Sequence, residues 1–364
     1  MKSNRHDINR IDAKAVRAKL KIQQNANLFW LNRVTDAELS NGRSLTSNYQ
    51  VGTFPTVYFS YRDINGVTIT SQSGDIASAA YYGLEWVGEN SFVYCDASGV
   101  VARLDYDPVG DVLTRTEIGD FPGAASHLDI DELGNIYTGH QASGTGVRKT
   151  SPDGSVSITG TGSARIMLVD GSHLFNNTAT GLLKRDRDTL ALIDSVLIDE
   201  PSGEDSMVLT PEHVIYMRRT VLSSRFYLIK KSDMSVEKDF DSDTMTNWFR
   251  PRRMVQSLDG RIYVLTRKAD EPTRDDILVL DSQLNYINRF VLTNINANEM
   301  AYAPTPYNML LVRSGSNHYW VNMSGNIVST WSGGGLFQNA GRFLNAHPGR
   351  AAIKFKVLGL TKQF

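Results

Sequence analysis

A chain of 364 residues with 41% hydrophobic residues is long and apolar enough to bury a large core. Its formal net charge of −1 provides no overall field that would favour binding to nucleic acid or to an anionic membrane surface. A single cysteine, Cys95, excludes an internal disulfide framework, and no apolar run is long enough for a membrane-spanning helix. Because the first ten residues lack the apolar centre of a secretory signal, we expect the protein to stay in the cytoplasm or in an assembly built there.

The first 53 residues do not share the pattern of the remaining chain, and they predict a helical or extended N-terminal arm, residues 1–53. Small and apolar residues spaced by three and four positions share one face of a helix. These stripe residues are Ile8, Ile11, Ala15, Ala18 and Ile22. A stripe this narrow favours docking on a neighbouring subunit or on a partner protein. Two alternatives remain open: the helix covers the rim of its own domain, or it lies on a membrane surface.

Residues 54–364 repeat a pattern of short apolar strands separated by tight turns such as Pro152-Asp153-Gly154. The most regular part is an apolar-aromatic run after a Gly or polar residue, and successive copies begin 38–48 residues apart. The copies begin at Ser91, Asn135, His173, His213, Arg261, Asn308 and, more weakly, Ala351. This period is that of the four-stranded blades of a propeller, in which each run is the second strand of its blade.

We therefore predict an all-β fold, a seven-bladed β-propeller, with six or eight blades as alternatives. Six blades are internal, and the seventh is composite. The N-terminal side contributes two strands, which begin at Thr56 and Gly66, and residues 342–360 contribute two more. Pairing the two ends in one blade would close the ring and remove its exposed strand edges.

Recognised motifs for nucleotide binding, catalysis or metal binding are missing from the sequence, and we predict no cofactor. The segment from Asp129 to Gly134 superficially resembles a calcium loop. Leu133 and His140, however, stand where ligands are required, so we expect a turn between two strands.

Polar residues near the starts of the innermost strands would converge at the mouth of the central channel. They include Glu85, Glu204, Asp205, Asn298 and Glu299. Carboxylate and amide oxygens suit a hard cation such as calcium, and a bound calcium or zinc ion would polarise a lactone or ester carbonyl. The alternative interpretation is that these residues line a water-filled channel.

A basic and aromatic segment is predicted to lie in a loop that enters a blade. It contains Trp248, Phe249, Arg250, Arg252 and Arg253, with Arg218, Arg219 and Arg225 in the preceding blade. Arginine and aromatic residues are enriched at protein interfaces, so the segment is a candidate contact patch for an acidic partner. Solvated loop charge is the alternative, and nucleic-acid binding would need more basic residues on one face. The tryptophans Trp248, Trp320 and Trp331 are candidates for stacking on sugar rings.

The copy over residues 127–156, with its Asp, Gly-Asn-Ile-Tyr and later Pro-Asp-Gly, resembles the NHL-type and related propeller repeats. The resemblance extends more weakly over residues 254–290. Some members of that superfamily are calcium-dependent lactonases, but no motif of this chain aligns with their Glu, Asn and Asp ligands. With its arm, its many Asn, Ser and Thr residues and no cofactor signal, the chain is also similar in style to propeller proteins of bacteriophage tails.

Taken together, these features predict a non-enzymatic structural or interaction protein, a rigid propeller that docks into a larger assembly through its arm. The similarity in style implies that this assembly is a bacteriophage virion, in which the protein would belong to the tail. The rival hypotheses are a calcium- or zinc-dependent lactonase or hydrolase at the channel mouth, and a carbohydrate-binding propeller.

Overall fold

The fold consists of consecutive antiparallel sheets, each formed from strands that follow one another in the chain. The computed structural model describes residues 43–49, 57–63, 68–74, 83–86, 91–95, 100–107, 112–120 and, with short gaps, 125–332. In this part of the chain there are six four-stranded sheets and one three-stranded sheet. All the described regular elements are strands, so no described helix could cross a membrane.

The strands are numbered in chain order, and their sheets are numbered likewise. Sheet 1 contains β1 (Arg43–Tyr49), β2 (Val57–Asp63) and β3 (Thr68–Gly74). Sheet 2 contains β4 (Gly83–Trp86), β5 (Ser91–Cys95), β6 (Val100–Asp107) and β7 (Val112–Asp120). Sheet 3 contains β8 (Ala125–Ile130), β9 (Ile136–His140), β10 (Val147–Thr150) and β11 (Ser157–Gly160). Sheet 4 contains β12 (Met167–Asp170), β13 (His173–Asn177), β14 (Gly181–Asp186) and β15 (Leu192–Leu197).

The last three sheets follow the same order. Sheet 5 contains β16 (Asp205–Leu209), β17 (His213–Arg219), β18 (Ser224–Lys230) and β19 (Val236–Asp241). Sheet 6 contains β20 (Trp248–Gln256), β21 (Ile262–Lys268), β22 (Arg274–Leu280) and β23 (Tyr286–Thr293). Sheet 7 contains β24 (Glu299–Ala303), β25 (Met309–Ser314), β26 (Asn317–Asn322) and β27 (Ile327–Ser332).

The first strands of successive sheets contact one another, from β4 through β8, β12, β16 and β20 to β24. First strands therefore lie innermost and fourth strands outermost, the arrangement of propeller blades around a central axis. Six predicted apolar runs, those beginning at Ser91, Asn135, His173, His213, Arg261 and Asn308, supply the second strands of sheets 2 to 7, as expected. The run at Ala351 lies outside the described residues.

The hydrophobic core lies between neighbouring sheets rather than within one of them. Tyr137 and Val147 of sheet 3 share a buried cluster with Met167 and Leu174 of sheet 4. Comparable clusters join sheets 2 and 3, sheets 4 and 5, sheets 5 and 6, and sheets 6 and 7. Sheets 3 to 6 thus bury both of their faces against their neighbours, which explains the long apolar runs in the second and third strands of sheets 5 and 6.

Sheet 1 differs from the sequence expectation in its number of N-terminal strands. The N-terminal side supplies three strands, because β1 pairs along its whole length with β2, from Arg43 opposite Asp63 to Tyr49 opposite Val57. Strand β1 lies within the range 1–53 that the sequence analysis assigned to the arm. Its sequence, RSLTSNY, is mostly polar and lacks the apolar alternation by which strands are recognised. The stripe residues of the arm and the C-terminal strands of the composite blade lie outside the described residues, and ring closure stays a prediction.

Candidate functional site at the seams between sheets

The two faces of the propeller are defined by the direction of the strands. We call the face where first strands begin and fourth strands end the upper face, and the opposite one the lower face. Asp205 and Glu299 are the first residues of β16 and β24, at the upper face, and Glu85 lies within β4. Three of the five predicted metal ligands therefore belong to inner strands of three different sheets, whereas Glu204 and Asn298 lie outside the described residues. The described side chains contain no group of three or more His, Cys, Asp or Glu residues that could hold a metal ion, and those of Glu85, Asp205 and Glu299 are not among them.

The predicted basic segment forms part of β20, not a loop, and this part of the sequence analysis was wrong. The strand accommodates Pro251 through register shifts on both sides of it, and Pro251 lies opposite Thr266. Bulges of this kind allow a strand to contain a residue that cannot donate to the ladder. Trp248, Phe249 and Arg250 lie in the same strand, but their side chains are outside the described part.

Arg252 takes part in a buried ionic cluster at the seam between sheets 6 and 7. Its Nη1 donates a 2.5 Å hydrogen bond to the carbonyl oxygen of Ala297, just before β24. The carboxylate of Asp275, fully buried, accepts a 3.0 Å hydrogen bond from Nε of Arg267 and another from the backbone N–H of Ala297. Burial raises the pKa of Asp275 above its ordinary value, while Arg267 and Arg252 act in the opposite direction. The cluster therefore ties the link between the two sheets to sheet 6, and Arg252 is engaged within the protein.

Arg218 plays a similar role at the seam between sheets 4 and 5. It is fully buried, and its guanidinium lies 5.8 Å from the centre of the Tyr216 ring. It donates hydrogen bonds of 3.0 Å to the carbonyl of Ile198 and 2.8 Å to that of Thr178, which directly follow the strands β15 and β13 of sheet 4. Including Arg218 in a partner-contact patch was wrong, because a side chain that caps backbone carbonyls inside the protein is not available at the surface.

Buried polar side chains on the inner strands also join one sheet to the next. Asp129 on β8 accepts a 2.7 Å hydrogen bond from the backbone N–H of Val169 on β12. Ser206 on β16 accepts a 3.0 Å hydrogen bond from the backbone N–H of Met254 on β20. These two side chains are buried, and their oxygen atoms satisfy N–H groups that would otherwise be buried without a partner. They serve the cohesion of the ring rather than chemistry in the channel.

The lower face is held by an unusual residue in the turn between the third and fourth strands. Leu190, Met234 and Leu284 occupy these turns in sheets 4, 5 and 6 with φ of 60°, 54° and 58°, a conformation that favours glycine. We call them wedge residues, because each is buried in the cluster shared with the preceding sheet. Sequence reasoning missed them, because a Leu or Met in a turn gives no signal of a left-handed conformation.

Sheet 7 has Gly325, with φ of 85°, at the position of the wedge residue. A Cβ added to Gly325 would lie 2.7 Å from Cγ of Phe290, a ring of sheet 6 that is itself buried. The space that a wedge residue fills in the other seams is therefore filled here from the opposite side, by the outer strand of the preceding sheet.

A lysine from the preceding sheet binds each turn that carries a wedge residue. Lys149 pairs with Asp188 at 2.7 Å, and Nζ of Lys184 donates to the carbonyl of Lys231 at 2.7 Å. Nζ of Lys238 donates to the carbonyl of Gln283 at 3.1 Å. We call these three residues the seam lysines. Each seam from sheet 3 to sheet 6 thus combines one apolar wedge with one cation that caps the same turn.

The segment that resembles a calcium loop is a hydrogen-bonded turn on the lower face. The carboxylate of Asp131 accepts hydrogen bonds from the backbone N–H groups of Leu133 and Asn135, both at 2.9 Å. It also accepts from Nδ2 of Asn135 at 2.8 Å and from the hydroxyl of Tyr137 at 2.9 Å. Burial, with the neighbouring Asp131 as a second cause, raises the pKa of Tyr137 above its ordinary value. Both oxygens of Asp131 are therefore occupied in organising the turn.

The outer strands present apolar side chains to solvent at a recurring position. The first residue of the fourth strand is apolar and exposed in four consecutive sheets: Leu192, Val236, Tyr286 and Ile327, with exposed fractions of 57%, 41%, 46% and 46%. Trp320, in contrast, is only 3% exposed on β26, so the expectation that it is free to stack on sugars was wrong. Trp320 belongs to the third strand of sheet 7. The side chains of Trp248 and Trp331 lie outside the described part.

Comparisons with known proteins identify the fold. No family model matches the chain, and no curated protein matches it significantly. Among solved structures, the WD40 β-propeller domain of Doa1 superposes with a TM-score of 0.54 at 10% identity, covering 80% of this chain and 87% of that one. The periplasmic gluconolactonase of Pseudomonas aeruginosa superposes with a TM-score of 0.58 at 12% identity, covering 79% of this chain and 94% of that one. The chain is therefore a β-propeller, and at these identities the likeness shows the fold alone.

Proposed function

We propose that the protein is a non-enzymatic interaction protein, a propeller that is incorporated into a larger assembly through its N-terminal arm. The recurrence of exposed apolar residues at the start of four outer strands, Leu192, Val236, Tyr286 and Ile327, carries this proposal. The same strands expose further apolar side chains beside them, such as Ile193 and Leu197 on β15, and exposed apolar side chains that lie together mark sites of contact with other proteins. The style of the sequence favours a component of a bacteriophage tail or of another virion, assembled in the cytoplasm.

The polar groups described at the seams support the same proposal. Asp129, Ser206, Arg218, Arg252 and Asp275 all bind backbone groups of a neighbouring sheet or of the link to it. Perturbed and buried ionisable groups are common at active sites, but structural ion-pair networks perturb them as well. Here each of these groups has a partner that explains its burial, which favours a rigid scaffold.

The arm is tested in the full-length protein by substitutions in its predicted stripe. The variant Ile8→Asp, Ile11→Asp, Ile22→Asp should keep the melting temperature of the wild type and lose co-purification with its assembly, because charged residues cannot be buried at the contact. Val16→Asp is the matched control, since helical spacing places it away from the stripe, and it should co-purify normally. A triple variant that still assembles, or one that unfolds, contradicts the docking role of the arm.

The rival enzyme hypothesis rests on Glu85, Asp205 and Glu299, which the inner strands carry. Elemental analysis of the purified protein separates the two hypotheses. The hydrolase hypothesis would replace the scaffold hypothesis if the protein bound one equivalent of calcium or zinc and hydrolysed a lactone, and if Glu299→Gln lost both properties. The carbohydrate-binding hypothesis is tested by the change of tryptophan fluorescence on addition of glycans.

A further inference from the structure

Strand β15 presents the most exposed apolar surface among the described residues. Ile193 and Leu197 are 50% and 81% exposed, and Leu197 shares a face with Ser195, because alternate residues of a strand point the same way. Leu192, just before the register shift at Ile193, is 57% exposed. Strand β15 is the outermost of sheet 4 and pairs only with β14 among the described strands, so its second edge is available to a partner.

The sequence around β15 is acidic, although Asp188 is paired with Lys149 and Asp194 lies opposite Lys184 in the ladder. Residues 188–217 contain seven acidic residues and no Lys or Arg. These residues are Asp188, Asp194, Asp199, Glu200, Glu204, Asp205 and Glu212. The outer strands β19 and β23 also expose apolar residues, but they carry Lys238 and Arg289 within the strand itself. Strand β15 thus combines the most exposed apolar side chains with a stretch of sequence that has no Lys or Arg, which favours an amphipathic partner of positive charge.

The N-terminal segment of the same chain has the complementary chemistry. Residues 1–22 contain seven Lys and Arg residues against two Asp residues. The stripe of Ile8, Ile11 and Ile22 predicts one apolar helical face, and the basic residues occupy the remainder of that helix. Apolar residues on both sides would leave water together, while the opposite charges around them would set the orientation and speed the encounter.

We propose that the N-terminal segment of one copy docks on β15 of a neighbouring copy. The inference rests on the proposed function and names its partner as a second copy of this chain. Because the arm and the strand are different surfaces, the contact is head-to-tail, and its repetition generates a ring if the rotation closes and a filament if it does not. A single chain therefore carries both halves of its assembly contact.

The contact is tested by disulfide trapping between two full-length variants, Ala18→Cys in one chain and Leu197→Cys in an isotopically labelled second chain. After mild oxidation of the mixture, mass spectrometry of the peptides should find residue 18 linked to residue 197, and this assignment excludes links through Cys95. The control mixture uses Leu133→Cys in place of Leu197→Cys, since Leu133 is 62% exposed but lies at the turn between β8 and β9. We expect at least a tenfold higher yield with Leu197→Cys than with the control.

Charge provides a second measurement on the same pair. Adding Asp194→Lys to the Leu197→Cys chain should lower the yield several-fold, and 0.5 M salt should also lower it, because screening weakens attraction between exposed charges. Equal yields with Leu197→Cys and Leu133→Cys, or a yield that Asp194→Lys leaves unchanged, would overturn the proposal. If the arm variant loses its assembly while no link to residue 197 forms, the partner is not β15 of a second copy, and the proposed function stands without it.

Discussion

At the scale of single residues, the wedge residues show how a local cost is offset by packing. A left-handed conformation costs a residue with a Cβ about 1–2 kcal/mol. Leu284 occupies this conformation, yet its side chain is fully buried between sheets 5 and 6, and the burial of a leucine side chain contributes about 1.5–3 kcal/mol. The strained conformation is therefore retained because it places an apolar side chain in the space between sheets 5 and 6 that the strands of these sheets do not fill.

Two substitutions at Leu284 separate strain from burial. Leu284→Ala keeps the strained backbone and removes the buried atoms, so it should lower the free energy of unfolding by about 2–5 kcal/mol. Leu284→Gly removes these atoms and the Cβ but relieves the backbone, and it should be more stable than the Ala variant by about 1 kcal/mol. Chemical denaturation measures both. Leu192→Ala, at a position 57% exposed, is the control and should be close to neutral. A Gly variant less stable than the Ala variant would contradict the account.

The turn that contains Asp153 gives a prediction for pH. Hydrogen bonds from Ser151 and from Ser155 lower the pKa of Asp153 from 3.8 to about 2. Since the folded state prefers the ionised form, the associated stability is present above pH 3.8 and is lost as the pH falls through about 2. In Ser151→Ala, the pKa of Asp153, followed by the carboxyl carbon in NMR, should move back towards 3.8. A pKa that stays near 2 would show that Ser151 is not the main cause.

At the scale of strands and sheets, the seams are held by single hydrogen bonds from side chains to backbone. Ser206 provides the acceptor for the N–H of Met254, and both residues are buried between β16 and β20. Removing the hydroxyl leaves the N–H without a partner, at a cost of about 1–3 kcal/mol. Ser206→Ala should therefore lower the midpoint of chemical denaturation, whereas Ser195→Ala on the exposed face of β15 should leave it unchanged. Equal midpoints for the two variants would show that water replaces the lost hydroxyl.

The sequence predicted those elements whose signal is local. The six apolar runs were identified as second strands because an apolar-aromatic run after a turn residue is visible in a short window. Strand β1 has no recognisable strand signal because its residues are polar, and the start of β20 has none because Pro251 normally interrupts a strand. The roles of Arg218, Arg252 and the wedge residues could not be predicted, since each acts on a neighbouring sheet that is distant in the chain.

At the scale of the whole molecule, we expect the closure of the ring to decide stability. Sheet 1 has three strands where sheets 2 to 7 have four, and the described residues before β4 supply all three. We expect residues 342–364 to complete this sheet. Deleting them should yield a protein that aggregates, because it would leave unpaired strand edges on both sides of the gap. The measurements are size-exclusion chromatography and the melting temperature. A truncated protein that stays monomeric and melts like the wild type would show that the C-terminal residues do not close the ring.

The wedge residues have a consequence for exchanging parts of this protein with another propeller. Met234 of sheet 5 packs in the hydrophobic cluster that sheets 4 and 5 share. If sheet 4 alone is transplanted into another propeller, this cluster therefore lacks the Met234 side chain. The seam between Phe290 and Gly325 shows that the two sides are matched in size, a large ring facing a residue without a side chain. The unit that can be exchanged is therefore the two half-blades on either side of one seam, not a whole blade. A chimera whose junctions lie in the middle of two sheets should fold. A chimera whose junctions lie between sheets should not.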